Sequence, residues 1–252
     1  MPAQTHDQTI LAHLTKAGSA RILDLAAALR VTDETIRRAV VRLEAQGAVT
    51  RVHGGVQVRD WASEPGFALR YALNPGAKRT IAARTAALIA DGASLFLDVG
   101  STTAYVAQAL RVRRELLVVT NSLSVAQALT GINGSRVYMA GGELRAHDGG
   151  AFGAEALAFV RQFRVQHAIL SVAAVDARSG FLLHDLRETE FSRAIIDAAE
   201  EAIVVADATK FQSTAPICIA PPDRFRRLVT DTAPAPDIEE FLAAQGVEVI
   251  VA

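Results

Sequence analysis

The chain has 252 residues, half of them hydrophobic and 21% charged, with a formal net charge of −1, and that length and apolar content exclude a disordered protein. Its single cysteine, Cys218, excludes an internal disulfide and a multi-cysteine zinc site, and reads as a core thiol. Six histidines without HxH or HExxH spacing give no reason to expect a metal, and no cofactor is expected.

The first informative elements lie between Ile22 and Val58. Ile22, Leu25, Ala26 and Leu29 recur at i, i+3, i+4 and i+7, which predicts an amphipathic helix. Ile36, Val40 and Leu43 repeat the stripe in a second helix. Thr32 or Asp33 can cap that helix with a side-chain oxygen, and the acidic Asp33 and Glu34 suit the positive end of its dipole. Opposite the stripe the spacing places Thr35, Arg38, Ala39 and Arg42, with Arg37 at the border. Residues 49–52 and 56–58 alternate like strands around Gly54-Gly55, predicting a hairpin that carries Arg51 and His53. Two short helices, a tight turn and a wing make a winged helix-turn-helix, a module that binds double-stranded DNA.

Charge agrees with that reading. From Met1 to Arg59 eight basic side chains stand against five acidic ones, so a positive excess of three is hidden by a negative excess of four in the rest of the chain. The candidate DNA contacts are Thr32, Thr35, Arg37, Arg38, Arg42, Arg51 and His53. Arginine's planar fork fits a guanine edge or a phosphate, which is why this residue type on one helix face suggests a major-groove reader.

Residues 59–74 sustain neither period and read as a linker, with Phe67 and Arg70 as docking residues between domains. From Pro75 onward short apolar runs alternate with helical stretches. Strands are expected at 94–97, 116–119, 136–139, 168–171, 202–205, 228–229 and 247–250, and helices at 104–110, 123–129 and 188–199. The expected fold is α/β, with a largely parallel, Rossmann-like sheet covered by helices on both faces. Three domains of organisation follow: 1–58 for DNA, 59–74 as linker and 75–252 for sensing an effector.

Polar and glycine residues cluster immediately after the strands, where an open parallel sheet binds ligands. Gly100 lets the backbone turn closely, and Ser101, Thr102 and Thr103 offer hydroxyls and helix N-terminal amides to an anion. Asp98 can accept from sugar or polyol hydroxyls, Lys78 and Lys210 are cationic partners for a phosphate, and Glu188 can bind a hydroxyl. Thr120, Asn121, Gly141 and Gly142 complete the candidate effector site. Each residue alone is what any strand-to-helix turn uses; four such clusters on one inferred edge make a pocket.

Both halves carry a family resemblance. Thr35-Ile36-Arg37-Arg38 and Arg51-Val52-His53-Gly54-Gly55, with the spacing between them, resemble the DNA-binding domain of DeoR-type bacterial repressors over about residues 10–58. That family usually places an Asp and then a Leu where this chain has Ala39 and Val40. Asp98-Val99-Gly100-Ser101-Thr102-Thr103, Thr120-Asn121-Ser122, Ala140-Gly141-Gly142-Glu143 and Asp207-Ala208-Thr209-Lys210-Phe211 resemble the family's sensor domain. The resemblance implies a fold related to ribose-5-phosphate isomerase and the CoA transferases. It implies a homo-oligomer, a dimer or tetramer, that a phosphorylated sugar or its breakdown product releases from its operator.

Gly141-Gly142-Glu143-Leu144-Arg145, Asp148-Gly149-Gly150, Gln162-Phe163-Arg164, Arg193-Ala194-Ile195-Ile196 and Thr230-Asp231 are similar to a branch of the family that regulates glycerol 3-phosphate use. The chain departs from the family at 171–176, which lacks its usual glycines, and at 184–188, which replaces an aromatic-rich segment. The expectation is a repressor of a sugar or polyol catabolic operon and not an enzyme; whether it represses or activates depends on operator position. The alternative is a sugar-phosphate isomerase with an accessory DNA-binding domain, for which Asp98, Glu188 and Lys210 are the acid and base types. No apolar run approaches bilayer length and the start Gln4-Thr5-His6-Asp7 is unlike a signal peptide, so a cytoplasmic location without a membrane partner is expected.

Overall fold

A computed structural model of the chain describes residues 6–7, 9–11, 13–14, 19–45, 49–52, 54–58 and 66–252. They divide into two units, Met1–Leu73 and Asn74–Ala252.

In the first unit, helix α1 (Ile22–Leu29) ends at Arg30, which adopts the left-handed conformation at φ 54°, and α2 (Asp33–Ala45) follows. Thr32 caps α2: its Oγ1 accepts from the amide of Thr35 at 3.3 Å. Ile22, Leu25 and Ala26 meet Ile36, Ala39, Val40 and Leu43 in one core, joined by Ile10, Leu11 and Leu14. This corrects one expectation. Ala39 is completely buried and belongs to the apolar stripe at 36, 39, 40 and 43, not to the face that carries Arg38 and Arg42.

Three strands complete this unit: β1 (Ser19–Arg21), β2 (Val49–Val52) and β3 (Gly55–Val58), antiparallel in the order β1-β3-β2. The hairpin turn needs Gly54 at φ +74°, and Gly55 lies so close to β1 that a Cβ there would stand 2.7 Å from the carbonyl oxygen of Ala20. Part of the segment read as a linker is helical: α3 (Phe67–Ala72) buries Leu69 in the core of the first unit, and Phe67 stacks on Tyr71 at 5.8 Å. Residues 59–65 lie outside the described residues.

The second unit begins with α4 (Pro75–Leu88) and then alternates strands with helices: β4 (Ser94–Leu97), α5 (Ser101–Ala109), β5 (Leu117–Thr120), α6 (Leu123–Leu129), β6 (Arg136–Met139), α7 (Ala154–Val160) and β7 (Val165–Ser171). After a small antiparallel excursion come α8 (Leu186–Asp197), β10 (Ala199–Val205), β12 (Arg227–Thr230), α9 (Pro236–Ala244) and β13 (Glu248–Val251). The excursion consists of β8 (Ala174–Asp176) and β9 (Gly180–Leu183), which β11 (Ile217–Cys218), lying between β10 and β12 in the chain, joins in an antiparallel sheet of order β11-β9-β8. Seven strands form a parallel sheet in the order β13-β12-β10-β7-β4-β5-β6.

Alternate residues of each strand enter different cores. Leu95, Leu97, Val118, Ile169, Ile203, Val205 and Val229 pack on one face. Phe96, Val119, Leu170, Val204 and Leu228 pack on the other. Both faces are therefore apolar and helix-covered, which is why the strands read as continuous hydrophobic runs. The strand order reverses at β4 and β7: β5 and β6 extend one way from β4, and β7, β10, β12 and β13 the other. Cys218 corrects a second expectation. It lies on the two-residue edge strand β11 and is exposed, its Sγ 3.3 Å from the carbonyl oxygen of Ser179. Among the described residues no helix is long and apolar enough to cross a membrane.

Candidate nucleic-acid interface and ligand site

The exposed face of α2 and the wing hold most of the expected DNA contacts. Thr32 and Thr35 face each other at the start of α2, their hydroxyls 2.9 Å apart. Arg37 and Arg38 are exposed, each one helical turn beyond a carboxylate: Arg37 Nε lies 3.8 Å from Asp33 and Arg38 Nε 3.7 Å from Glu34. Arg42 makes a bidentate pair with Asp7 at 2.7 and 3.2 Å, a hydrogen bond that raises its pKa above the ordinary arginine value. Arg51 on β2 is exposed, and its Nε lies 2.6 Å from Glu44 of α2, which ties the wing to the helix. His53 lies outside the described residues.

In the second unit the reversal of strand order brings the end of β4 beside the end of β7. Asp98, just past β4, is buried and accepts from the amide of Ser171, the last residue of β7, at 3.1 Å. Gly100 opens α5, and a Cβ at this position would stand 1.9 Å from Ser171 Oγ and 2.9 Å from its Cβ. Glycine is required here by close approach between two strand ends. Ser101, Thr102 and Thr103 form the buried first turn of α5, whose N-cap, Gly100, has no side chain to cover its amides. That leaves the positive end of a nine-residue helix aimed past the strand ends, a suitable setting for an anion.

Two of the predicted hydroxyls have internal work. Thr103 Oγ1 donates to the carbonyl oxygens of Asp98 and Gly100 at 3.0 and 3.1 Å, and Thr120 Oγ1 donates to that of Leu97 at 2.7 Å. They hold the ends of β4 and β5 together. Asn121 follows Thr120 and is completely buried; its Nδ2 donates to the carbonyl oxygen of Ala151 at 3.2 Å, while Oδ1 has no hydrogen-bond partner. A buried unpaired acceptor costs about 1–3 kcal/mol, so Asn121 keeps an acceptor ready at a price in stability.

Lys78 is buried on α4, which packs against α5. Gly141 and Gly142 are exposed in the loop after β6, with Gly142 at φ +126°. Lys210 is half-buried in the short turn after β10. Asp98, Gly100, Ser101, Thr102, Thr103, Thr120 and Asn121 thus share the adjoining ends of β4 and β5, while Gly141, Gly142 and Lys210 follow other strands of the same sheet edge.

Glu188 occupies a different setting from the expected one. It lies in the first turn of α8 and is held by Arg145 at 2.9 Å. Arg145 also pairs with Asp148, reaches Asp185 at 3.6 Å and covers the ring of Phe152 at 4.3 Å. Burial opposes charge on this guanidinium, yet its bonds to Asp148 and Glu188 outweigh that and hold it above the ordinary arginine value. Burial likewise opposes ionisation of Asp148, but Arg145 and the amide of Gly150 keep its carboxyl below the usual range. Asp185 is held low against its burial by the amide of Glu188, for which it is the helix cap, and by Arg145. The loop after β6 is thereby fastened to the start of α8.

Sequence reasoning did not assign Ser171, Asp148 or Asp185, nor Arg145 as a site residue. The run from Gly141 to Gly150 marked a special loop, but nothing local signals a partner more than forty residues away.

Two open depressions, of about 600 and 640 Å³, lie away from these residues. The first is lined by Leu157, Arg161, Arg164, Glu190, Arg193 and Asp197, on α7, α8 and the turn after α7. The second, with His167, Glu201 and Arg226, lies at the amino-terminal strand ends. Neither lies at the carboxyl-terminal edge of the sheet, where backbone amides and loop side chains converge in an open parallel sheet. Among the described residues no group of three or more His, Cys, Asp or Glu could hold a metal ion.

Comparison with known proteins adds to this geometry. Residues 73–232 match the DeoR C terminal sensor domain, and residues 7–61 the DeoR-like helix-turn-helix domain. The HTH-type transcriptional repressor CsqR of Escherichia coli is 31% identical, over 98% of this chain and 94% of its own. The glycerol-3-phosphate regulon repressor of Haemophilus influenzae is 33% identical over 100% and 98%, and the E. coli repressor of that name is 33% identical over 86% of each chain. Among solved structures, ribose 5-phosphate isomerase A of Methanocaldococcus jannaschii overlaps 55% of each chain at 15% identity with a TM-score of 0.41.

Proposed function

The chain belongs to the DeoR family of transcriptional regulators, and from that premise we propose a DNA-binding repressor of a sugar or polyol catabolic operon, released from its operator by a phosphorylated metabolite such as glycerol 3-phosphate or a sugar phosphate. Residues 1–58 carry DNA recognition, 75–252 sense the effector, and the segment between them couples the two. Helix α2 enters the major groove with Arg37, Arg38 and Arg42 toward base edges, while Arg51 and His53 of the wing meet a neighbouring phosphate or the minor groove. The protein works in the cytoplasm as a homo-oligomer, whose two-fold symmetry would match a palindromic operator.

The observation that carries the sensor half is the pairing of the buried start of α5, capped only by glycine, with the unpartnered Oδ1 of buried Asn121 on the neighbouring strand end. The helix amides suit a phosphate, and the acceptor suits a hydroxyl of the same small molecule. Asp98 takes further hydroxyls, and Lys78 and Lys210 supply positive charge. For the effector to release DNA it must bind the two forms of the protein unequally.

A fluorescence-anisotropy titration of DNA from upstream of the protein's own gene cluster tests this. Glycerol 3-phosphate and sugar phosphates, but not their unphosphorylated counterparts, should weaken specific binding at least about tenfold, equivalent to about 1.4 kcal/mol of coupling. Specific binding that no phosphorylated metabolite alters would reject the sensor half. Ser101→Ala and Lys210→Ala should bind the operator normally yet ignore the effector; loss of operator binding would make these residues structural. The isomerase alternative predicts turnover of ribose 5-phosphate, whereas the named relatives reported above are repressors.

A further inference from the structure

Each arginine assigned to the DNA-reading face is already held by a carboxylate of its own unit. Arg37 has Asp33 at 3.8 Å, Arg38 has Glu34 at 3.7 Å, Arg42 has Asp7 at 2.7 Å and Arg51 has Glu44 at 2.6 Å. The pairing does not hide the arginines: the Arg37 and Arg38 side chains are 60% and 68% exposed. Two of the carboxylates sit deeper than the arginines they serve, with Asp7 at 15% against 42% for Arg42 and Glu44 at 33% against 58% for Arg51.

The pairing bears on how such a face discriminates between sequences. Binding to arbitrary DNA comes almost entirely from neutralising phosphates, so it scales with free positive charge. A pair this close presents little net field at the distance of an approaching phosphate. An exposed pair nonetheless holds its members weakly, and a guanine edge that offers two aligned acceptors can replace the carboxylate where a lone phosphate gains little by doing so. We infer that Asp7, Asp33, Glu34 and Glu44 are specificity-determining residues of the reading face, suppressing sequence-independent binding by cancelling the charge of the four arginines that face DNA. This rests on the DNA-reading assignment made above for those arginines.

The test uses the full chain with Asp7→Asn and Glu44→Gln, singly and together, and with Glu34→Gln, whose side chain, the most exposed of the four carboxylates, is the least able to disturb folding. Anisotropy is measured on a duplex from upstream of the gene cluster and on a random duplex of equal length, from about 50 to 200 mM salt. On random DNA the Asp7→Asn/Glu44→Gln variant should bind roughly 3- to 10-fold tighter, with a log K against log salt slope steeper by about one to two. Operator binding should change less, so the operator-to-random ratio falls. Glu239→Gln, which removes an exposed charge from α9 in the other unit, should leave the random-DNA slope unchanged. An unchanged random-DNA affinity in all four variants, or an equal gain from Glu239→Gln, overturns the inference. Failure of the unmodified protein to bind either duplex is a different result, and it overturns the DNA-reading assignment itself.

Discussion

Arginine meets carboxylate in two places in this molecule, with opposite consequences. At the reading face each arginine has, among the described residues, one carboxylate partner and wide access to water. In the second unit Arg145 is 13% exposed, stacked on Phe152 and surrounded by Asp148, Asp185 and Glu188, of which Asp148 has a side chain only 1% exposed. Exposed pairs contribute about 0–1 kcal/mol, because water competes for both members. Removing one member of a buried pair costs about 3–5 kcal/mol, because the other is left charged without solvent. The same chemistry therefore makes a permanent fastening in one unit and an exchangeable contact in the other. Solvent access, rather than distance, decides which.

The largest expected effect is at the buried cluster. Arg145→Ala should destabilise the second unit by about 3–5 kcal/mol, read from the unfolding transition of that unit in urea. A loss below about 1 kcal/mol would erase the contrast with the reading face. The cluster also has a pH signature. The carboxyls of Asp148 and Asp185 are held below their ordinary range, so the stability they contribute is complete above an unfolded-state pKa near 4 and is lost as pH falls through their lower folded values. Unfolding free energy should thus decline in acid, and Arg145→Ala should flatten that decline. Equal acid slopes in the two proteins would show that Arg145 is not its cause.

At the reading face the next largest effect is on binding, not folding. Arg38→Ala should weaken operator binding by about 1–3 kcal/mol if the guanidinium reads a base, while the unfolding midpoint of the first unit barely moves. Unchanged operator affinity would remove Arg38 from the interface. A large loss of stability would place Arg38 with Arg145 instead of with the exposed pairs.

Much of the fold and of the candidate sites was legible in the sequence, and the missing parts share a physical reason. The α2 stripe, the Gly54-Gly55 turn and the clusters after β4 and β5 are local, and local spacing reports them. Ala39 was assigned to the wrong face because a small apolar residue signals neither core nor surface, and only packing against α1 shows that it is buried. Helix α3 has six residues, too few to repeat an i, i+3, i+4, i+7 pattern, and β11 has two, too few to alternate. That brevity hid both the helical half of the linker and the exposure of Cys218. Glu188 was read as free for a ligand hydroxyl because its partner Arg145 is distant in sequence. The required smallness of Gly100 was expected; its cause, Ser171 on a strand brought alongside by the reversal of strand order, is a tertiary fact.

The smallest effect is the most searching, because it asks whether the exposed pairs are as weak as their setting implies. Glu34 lies in the first turn of α2, one turn before Arg38, with its side chain 66% exposed. An acidic residue four positions before a basic one contributes about 0.3–0.5 kcal/mol. Its charge near the helix start adds about 0.3–1 kcal/mol through the dipole. Glu34→Ala should therefore cost the first unit about 0.6–1.5 kcal/mol at low salt. Both contributions are screened, so the cost should shrink markedly at 1 M salt, where the Debye length is about 3 Å. The Arg145→Ala cost should change far less over the same range, because that pair is shielded from ions. Urea titrations of both variants at low and high salt measure the two dependences side by side. If they prove equal, burial does not separate the two sets of arginines, and the exchange of carboxylate for DNA at the reading face would be as costly as breaking the Arg145 cluster.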